Sequence, residues 1–170
     1  MTTVEYFFFY FAISMVLLAL MIITVKNPVH SILLMLVLFF HIAGLYLFLN
    51  AEFLAAVQVI LYAGAILVLF LFVIMMLNIK EELISHRFIG EWPIGVAIGL
   101  SISLFCMFAV SHIQLRYEGV MTIEKIKAMT NTKAIGSLLY TEYILPFEIA
   151  SIILLIAIVG AIVLAKKEQS

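Results

Sequence analysis

The run "FLAAVQVILYAGAILVLFLFVIMMLN", Phe53 to Asn78, contains no Asp, Glu, Lys or Arg. A helix rises about 1.5 Å per residue, so a stretch of this length crosses the roughly 30 Å hydrocarbon core of a bilayer. Reading it as a membrane span decides the fold. A plain anchor would fill its middle with leucine. Here the middle holds Gln58, Tyr62 and the triplet Ala63-Gly64-Ala65.

Four more runs of the same kind flank it. No charged residue falls in 6–25, 27–51, 92–115 or 149–165, and with 53–79 these make five gaps in the charge pattern. A span needs roughly 17–25 mainly apolar residues. Five helices are therefore expected, over Tyr6–Val25, Val29–Asn50, Phe53–Leu77, Trp92–His112 and Phe147–Ala165. The 170-residue chain is 66% hydrophobic and 11% charged, with a mean hydropathy of +1.29. Soluble domains are about half apolar and a quarter charged, so a water-soluble fold is excluded. The expected class is an all-α integral membrane protein, residues 1–170 forming a single membrane domain.

The first span is read as retained. Glu5 precedes it without Lys or Arg, it is longer than the apolar region of a signal peptide, and no small-x-small site follows. Cys106 is the single cysteine and forms no internal disulfide. A net charge of −1 and the lack of a basic aromatic patch argue against nucleic acid as a partner.

Between the spans, "KNPVH" ends the first helix, because Pro28 cannot continue it and restricts Asn27. Only "NAE" joins the second and third, which forces a tight antiparallel hairpin. Trp92-Pro93 opens the fourth at an interface. Within the long polar segment from Arg116 to Leu145, "TNT" supplies N-cap residues before "KAIGSLLYTEY", read as a short amphipathic helix on the membrane surface. Pro146 suits the first turn of the fifth helix, with Glu148 close behind at the positive end of the helix dipole.

Positive charge sets the orientation. Lys26, Lys80, Arg87, Lys166 and Lys167 lie on one side; Arg116, Lys125, Lys127 and Lys133 lie on the other. Weighting the short loops places the C-terminus in the cytoplasm and the N-terminus outside.

Transporters keep ionisable groups inside their spans because buried charge is retained only for function. No Asp, Glu, Lys or Arg lies mid-span here. His41, in "VLFFHIAGLYLF", is the titratable group well inside a helix; His112 and Glu148 sit near span ends. His41 is open to two readings, a proton relay or an imidazole bonding a neighbouring helix. The four histidines have no ligand spacing, so no metal site is expected. No Gly-rich phosphate loop, CxxC or nucleophile–base pair is present. The chain alone is not expected to bind NADH, flavin or an iron–sulfur cluster, and it has no catalytic residue of its own.

Small residues let membrane helices approach closely. Ala55, Ala56, Ala63, Gly64 and Ala65 make such a surface on the third helix, and Gly95, Gly99 and Ser103 make one on the fourth. On an α-helical register Gln58 and Tyr62 are an i,i+4 pair on one face. A glycine weakens a helix by about 1 kcal/mol relative to alanine. A weak point beside two polar groups is where a π-bulge is affordable, and such bulges concentrate at functional sites. Packing face and conformational hinge are both open from the residues alone.

The stretch "AAVQVILYAGAILVLFLFVIMMLN" resembles the third helix of the J subunit of bacterial NADH–quinone oxidoreductase, respiratory complex I, whose mitochondrial counterpart is NADH dehydrogenase subunit six. "NPVHSILLMLV" and "IGSLLYTEYILPFEIASIILLIAIVGAIVLAKKE" agree with the same family. The resemblance implies a non-redox subunit of the proximal membrane arm. Its expected neighbours are the quinone-site subunit, the small K and A subunits, the antiporter-like subunits and lipid. FMN, iron–sulfur clusters and quinone are expected on other subunits. It also implies a third helix that switches between π-bulged and regular forms around Tyr62, Ala63, Gly64 and Ala65, opening and closing a water path toward the first antiporter-like module. Gln58, Tyr62, His41 and Glu148 are the candidate groups along that path. Some relatives carry glutamate where this chain has Gln58, and an amide cannot carry a proton as a carboxylate does. The alternatives are the homologous subunit of a ferredoxin-fed complex, a cation/proton antiporter or a membrane-bound hydrogenase, and a purely structural scaffold.

Overall fold

The computed structural model describes residues 3–77, 92–112 and 123–166. All regular structure among them is helical. Five helices are long and apolar enough to cross a membrane, at the places where the charge-free runs put them. Lys80 and Arg87, Arg116, and Lys167, which carry much of the orientation argument, lie outside the described residues. The chain divides into two compact units, Met1–Glu118 and Gly119–Ser170.

In the first unit, α1 (Thr3–Thr24) begins three residues before the expected Tyr6. Glu5 therefore falls in its first turn, where a carboxylate opposes the exposed N–H groups. Asn27 and Pro28 start α2 (Pro28–Phe48): the Asn27 side chain accepts from the Val29 N–H at 3.0 Å, and Pro28 occupies a position where no N–H is needed. The Ser31 hydroxyl donates to the Ile22 carbonyl at 2.6 Å. That carbonyl lies in the last turn of α1, where carbonyls lack helical partners, so one side chain ties the end of α1 to the start of α2.

The "NAE" hairpin has a definite mechanism. Asn50 takes a left-handed φ of 59°, which asparagine tolerates better than most residues. The Asn50 N–H donates to the Leu47 carbonyl and the Ala51 N–H to the Tyr46 carbonyl, at 3.0 and 2.8 Å. These are the two bonds of a Schellman stop, and they reverse the chain within a few residues. The third span, Glu52–Leu77, then runs back along α2. It comprises α3 (Glu52–Val57), a π-helical segment (Gln58–Ile66) and α4 (Leu67–Leu77).

Helix α1 packs on α2 through Phe11, whose Cε1 and Cζ lie 3.0 and 3.1 Å from where a Cβ on Gly44 would stand. Phe7, Phe11 and Phe48 extend this contact, with ring centroids 5.9 and 6.4 Å apart. The buried core is small: Ile32 and Ala43 on α2, and Ala55, Gln58, Ala63 and Leu67 on the third span. Lipid is as apolar as leucine, so spans need not hide their side chains from it. Helix α5 (Trp92–His112) keeps its expected bounds and is exposed along nearly its whole length. Among the described residues, nothing lies within 4 Å of the Cβ positions of Gly95 and Gly99.

The second unit contains α6 (Ile123–Met129), α7 (Asn131–Leu139) and α8 (Ile144–Ala165). The short helix α6 was not read from sequence. Helix α7 has the expected amphipathic character, with Ala134 buried and Lys133 exposed. Its start differs from expectation. Asn131 and Thr132 are already helical, and Thr130, at the cap position with φ 73°, makes no side-chain capping bond. Helix α8 begins at Ile144, three residues early, which leaves Pro146 inside the first turn. Tyr140 and Phe147 meet edge-on across the α7–α8 turn at 5.2 Å.

Candidate functional site

The third span changes register in its middle. At the start of the π segment the Gln58 N–H donates to the Leu54 and Ala55 carbonyls, the ordinary helical pattern. At its end the Leu67 N–H donates to the carbonyl of Tyr62, five residues back. A five-residue step is the mark of a π turn. The segment covers Tyr62, Ala63, Gly64 and Ala65 and reaches beyond them to Gln58 and Ile66.

Burial records the same change. The positions facing α2 are Ala55, Gln58, Ala63 and Leu67, separated by steps of three, five and four. Steps of three and four keep one face of an α-helix toward a neighbour; the step of five keeps that face only because the backbone is π-wound there.

This corrects the expected pairing of Gln58 with Tyr62. Gln58 is 6% exposed, whereas Tyr62 is 45% exposed. In the π register Ala63, not Tyr62, follows Gln58 on the buried face. The phenol ring instead meets Phe39 of α2 edge-on, with centroids 5.9 Å apart and planes at 69°. Phe39 drew no notice in the sequence, because one phenylalanine among many apolar residues carries no pattern. No hydrogen bond joins the Gln58 side-chain amide to another described residue. It is the buried polar residue of this core.

Gly64 is exposed, and a Cβ there would stand 3.3 Å from the Val59 carbonyl oxygen. That carbonyl is five residues back, so its closeness belongs to the π register. Glycine fits because it brings no Cβ.

His41 does not join Gln58 and Tyr62. It is half-buried, and its ring lies against Tyr10 and Phe11 of α1, at 6.1 and 6.3 Å. Its Nδ1 is 2.8 Å from the Val37 carbonyl, one turn back on its own helix. A carbonyl only accepts, so the proton sits on Nδ1. The imidazole bonds its own backbone rather than a neighbouring helix, and its ring supplies the contact between helices. His112 repeats the pattern at the end of α5, with Nδ1 2.9 Å from the Phe108 carbonyl and its ring 4.0 Å from Phe108. Glu148 lies exposed near the start of α8, in the second unit. Among the described residues, no three His, Cys, Asp or Glu side chains cluster as metal ligands would.

Residues 18–164 match the family described as NADH-ubiquinone/plastoquinone oxidoreductase chain 6. Among curated relatives, the chain is 38% identical to NAD(P)H-quinone oxidoreductase subunit 6, chloroplastic, of Physcomitrium patens, over 97% of this chain and 85% of that protein. It is 38% identical to NADH-ubiquinone oxidoreductase chain 6 of Chondrus crispus, over 98% of this chain and 85% of the other. Against NADH-quinone oxidoreductase subunit J of Rhodobacter capsulatus it is 34% identical, over 100% of this chain and 85% of the relative.

Proposed function

Because this chain belongs to the NADH-ubiquinone/plastoquinone oxidoreductase chain 6 family, we propose that its third span is the moving part through which quinone reduction is coupled to proton translocation. The chain is a multi-pass, membrane-arm subunit of an NADH–quinone oxidoreductase, and its partners are other subunits of that complex. It acts within the enzyme without supplying redox chemistry. FMN, iron–sulfur clusters and quinone belong, on this reading, to other chains.

One observation carries the proposal: nine consecutive residues, Gln58–Ile66, are π-wound in the middle of a membrane span. A π segment is rare and strained relative to an α-helix, and it persists where function needs it. Returning to the α register turns one part of the span against the other by one residue, about 100°. Tyr62 then moves across the face that α2 covers. A rotation of that size opens or closes a chain of waters beside Gln58 and Tyr62. Gln58 orients water there and does not itself carry a proton, since an amide has no suitable ionisation.

His41 is assigned to packing, on the strength of its bond to Val37 and its aromatic neighbours on α1. Glu148, exposed near the start of α8, is proposed as a candidate proton-path group. The quinone-site, K, A and antiporter-like subunits are the proposed neighbours. A bacterial inner membrane is the proposed location, with the N-terminus outside and the C-terminus in the cytoplasm.

The test is a mild-detergent pull-down of the tagged chain, with mass spectrometry of its partners and an NADH–quinone assay on the eluate. Recovery with quinone-site, antiporter-like and NADH-oxidising subunits, with activity, is the expected result. Antiporter-like partners without NADH oxidation would move the chain to a ferredoxin-fed complex, an antiporter or a hydrogenase.

A further inference from the structure

We infer that His41 ties this chain to a second subunit of the complex: its Nε2 accepts a hydrogen bond from a helix that lies along α1, over Tyr10, Ile13 and Leu17. The third span takes no part in this contact, which stands apart from the register change proposed above.

His41 is two residues beyond Phe39, which meets the third span at Tyr62. Two residues turn an α-helix by about 200°, and the imidazole accordingly lies on the α1 side of α2, against Tyr10 and Phe11. Phe11 is turned toward Gly44. Tyr10 is turned outward: it is 58% exposed, and Ile13 and Leu17, at steps of three and four along α1, are more than half exposed as well. Ile13 and Leu17 also line a shallow apolar recess with Ala12 and Val16. A helix seated on this stripe reaches the imidazole past Tyr10.

Depth makes the nitrogen matter. The second span runs from Pro28 to Phe48, so His41 is three residues, about 4.5 Å, from its middle. Tyr10 is four residues, about 6 Å, from the middle of Val4–Thr24. Both lie well inside a hydrocarbon core about 30 Å thick. The Nδ1–H is committed to the Val37 carbonyl, the one hydrogen bond His41 makes among the described residues. Nε2 is then the lone-pair acceptor of the neutral ring. It is not buried inside the chain and opens to whatever surrounds the α1–α2 pair. Acyl chains carry no donor, and a polar atom facing hydrocarbon is costly. The chain is one subunit among several, and a neighbouring helix supplies what lipid lacks, an O–H or side-chain N–H of the kind that joins membrane helices. The Tyr10 hydroxyl, likewise without a hydrogen bond among the described residues, adds a donor beside it. That combination suits a partner side chain that both donates and accepts: serine, threonine, asparagine or glutamine.

The intact complex, held in lipid nanodiscs and imaged by cryo-electron microscopy, tests the contact directly. A donor atom from another subunit should stand within about 3.2 Å of His41 Nε2. An acyl chain or a water at Nε2, a donor from α5 or α8 of this chain, or a second copy of this chain would each overturn the proposal. Variants test whether the bond holds the subunits together, read as the rate at which the neighbouring subunit leaves the complex in mild detergent. His41→Phe keeps the ring and loses the acceptor, so that rate should rise roughly fivefold. His41→Gln places a carbonyl oxygen at about the reach of Nε2 and should restore most of the wild-type rate. His41→Asn carries its polar atoms only at the level of Nδ1 and should not. A wild-type rate in His41→Phe, or equal rates in His41→Gln and His41→Asn, would overturn the acceptor role while leaving the reading of the third span untouched.

Discussion

Gly64→Val is the substitution that most directly tests whether the third span has to wind as a π-helix. A Cβ at position 64 stands 3.3 Å from the Val59 carbonyl oxygen, so the carbonyl must yield by a few tenths of an ångström. It belongs to the backbone of the same helix, and it yields only by bending the π segment. In the α register that carbonyl is no longer opposite position 64. Any side chain there is tolerated as on an ordinary helix, where alanine is favoured over glycine by about 1 kcal/mol. Crowding a well-packed position by such amounts costs about 1–3 kcal/mol. The low end of that range, about 1 kcal/mol against the π register, is roughly a fivefold change in the ratio of registers. Valine's second γ-carbon makes it stiffer and adds to the effect. Position 64 is exposed, and nothing else among the described residues lies within 4 Å of the new Cβ, so the rest of the core is undisturbed. In membrane vesicles the expected result is a normal amount of assembled complex on a native gel. NADH–quinone turnover and dye-reported proton pumping should both fall about fivefold. Normal turnover and pumping at normal assembly would refute the argument. Loss of assembled complex, with normal turnover in what remains, would support the scaffold reading instead.

Three further outcomes follow from the first unit. Gly44→Ala places a Cβ 3.0 Å from the Phe11 ring and should destabilise the α1–α2 pair by about 1–2 kcal/mol, seen as a lower dissociation temperature of the complex; Phe11→Leu in the same chain should restore most of it. Ser31→Ala removes the 2.6 Å bond to the Ile22 carbonyl and should cost about 1 kcal/mol, again read as a lower dissociation temperature. His41→Phe keeps a ring between Tyr10 and Phe11 and loses only a bond to its own backbone, so coupled turnover should stay near wild type; loss of pumping with retained assembly would return His41 to the proton path.

The spans were legible because charge in a bilayer is expensive, and the gaps between charged residues must therefore match its thickness. Helix ends were less so. The N-terminal turns of α1 and α8 reach three residues past the expected limits, since Glu5 and Pro146 are acceptable inside a first turn as well as before it. The weak point at Tyr62–Ala65 was visible as a glycine beside polar groups. Its consequence for Gln58 was not, because pairing by i,i+4 assumes an unbroken α register, and the π segment is where that assumption fails.

Two glycine patterns show what sequence alone misjudges about packing. Gly95 and Gly99 have the spacing associated with close helix approach, yet no described atom of this chain comes within 4 Å of their Cβ positions. Gly44 has no companion at that spacing, and the Phe11 ring crowds the place a Cβ would take. Spacing advertises a surface that a helix can approach, whereas the partner that fills it is fixed by topology. The "NAE" turn and the Ser31–Ile22 tie bring α1, α2 and the third span together early in the chain. That arrangement holds α2 against both neighbours, through Phe11 on one side and Phe39 on the other. The register change proposed at Tyr62 would therefore act on a helix already braced from behind, and the motion would be expressed in the third span rather than absorbed by its support.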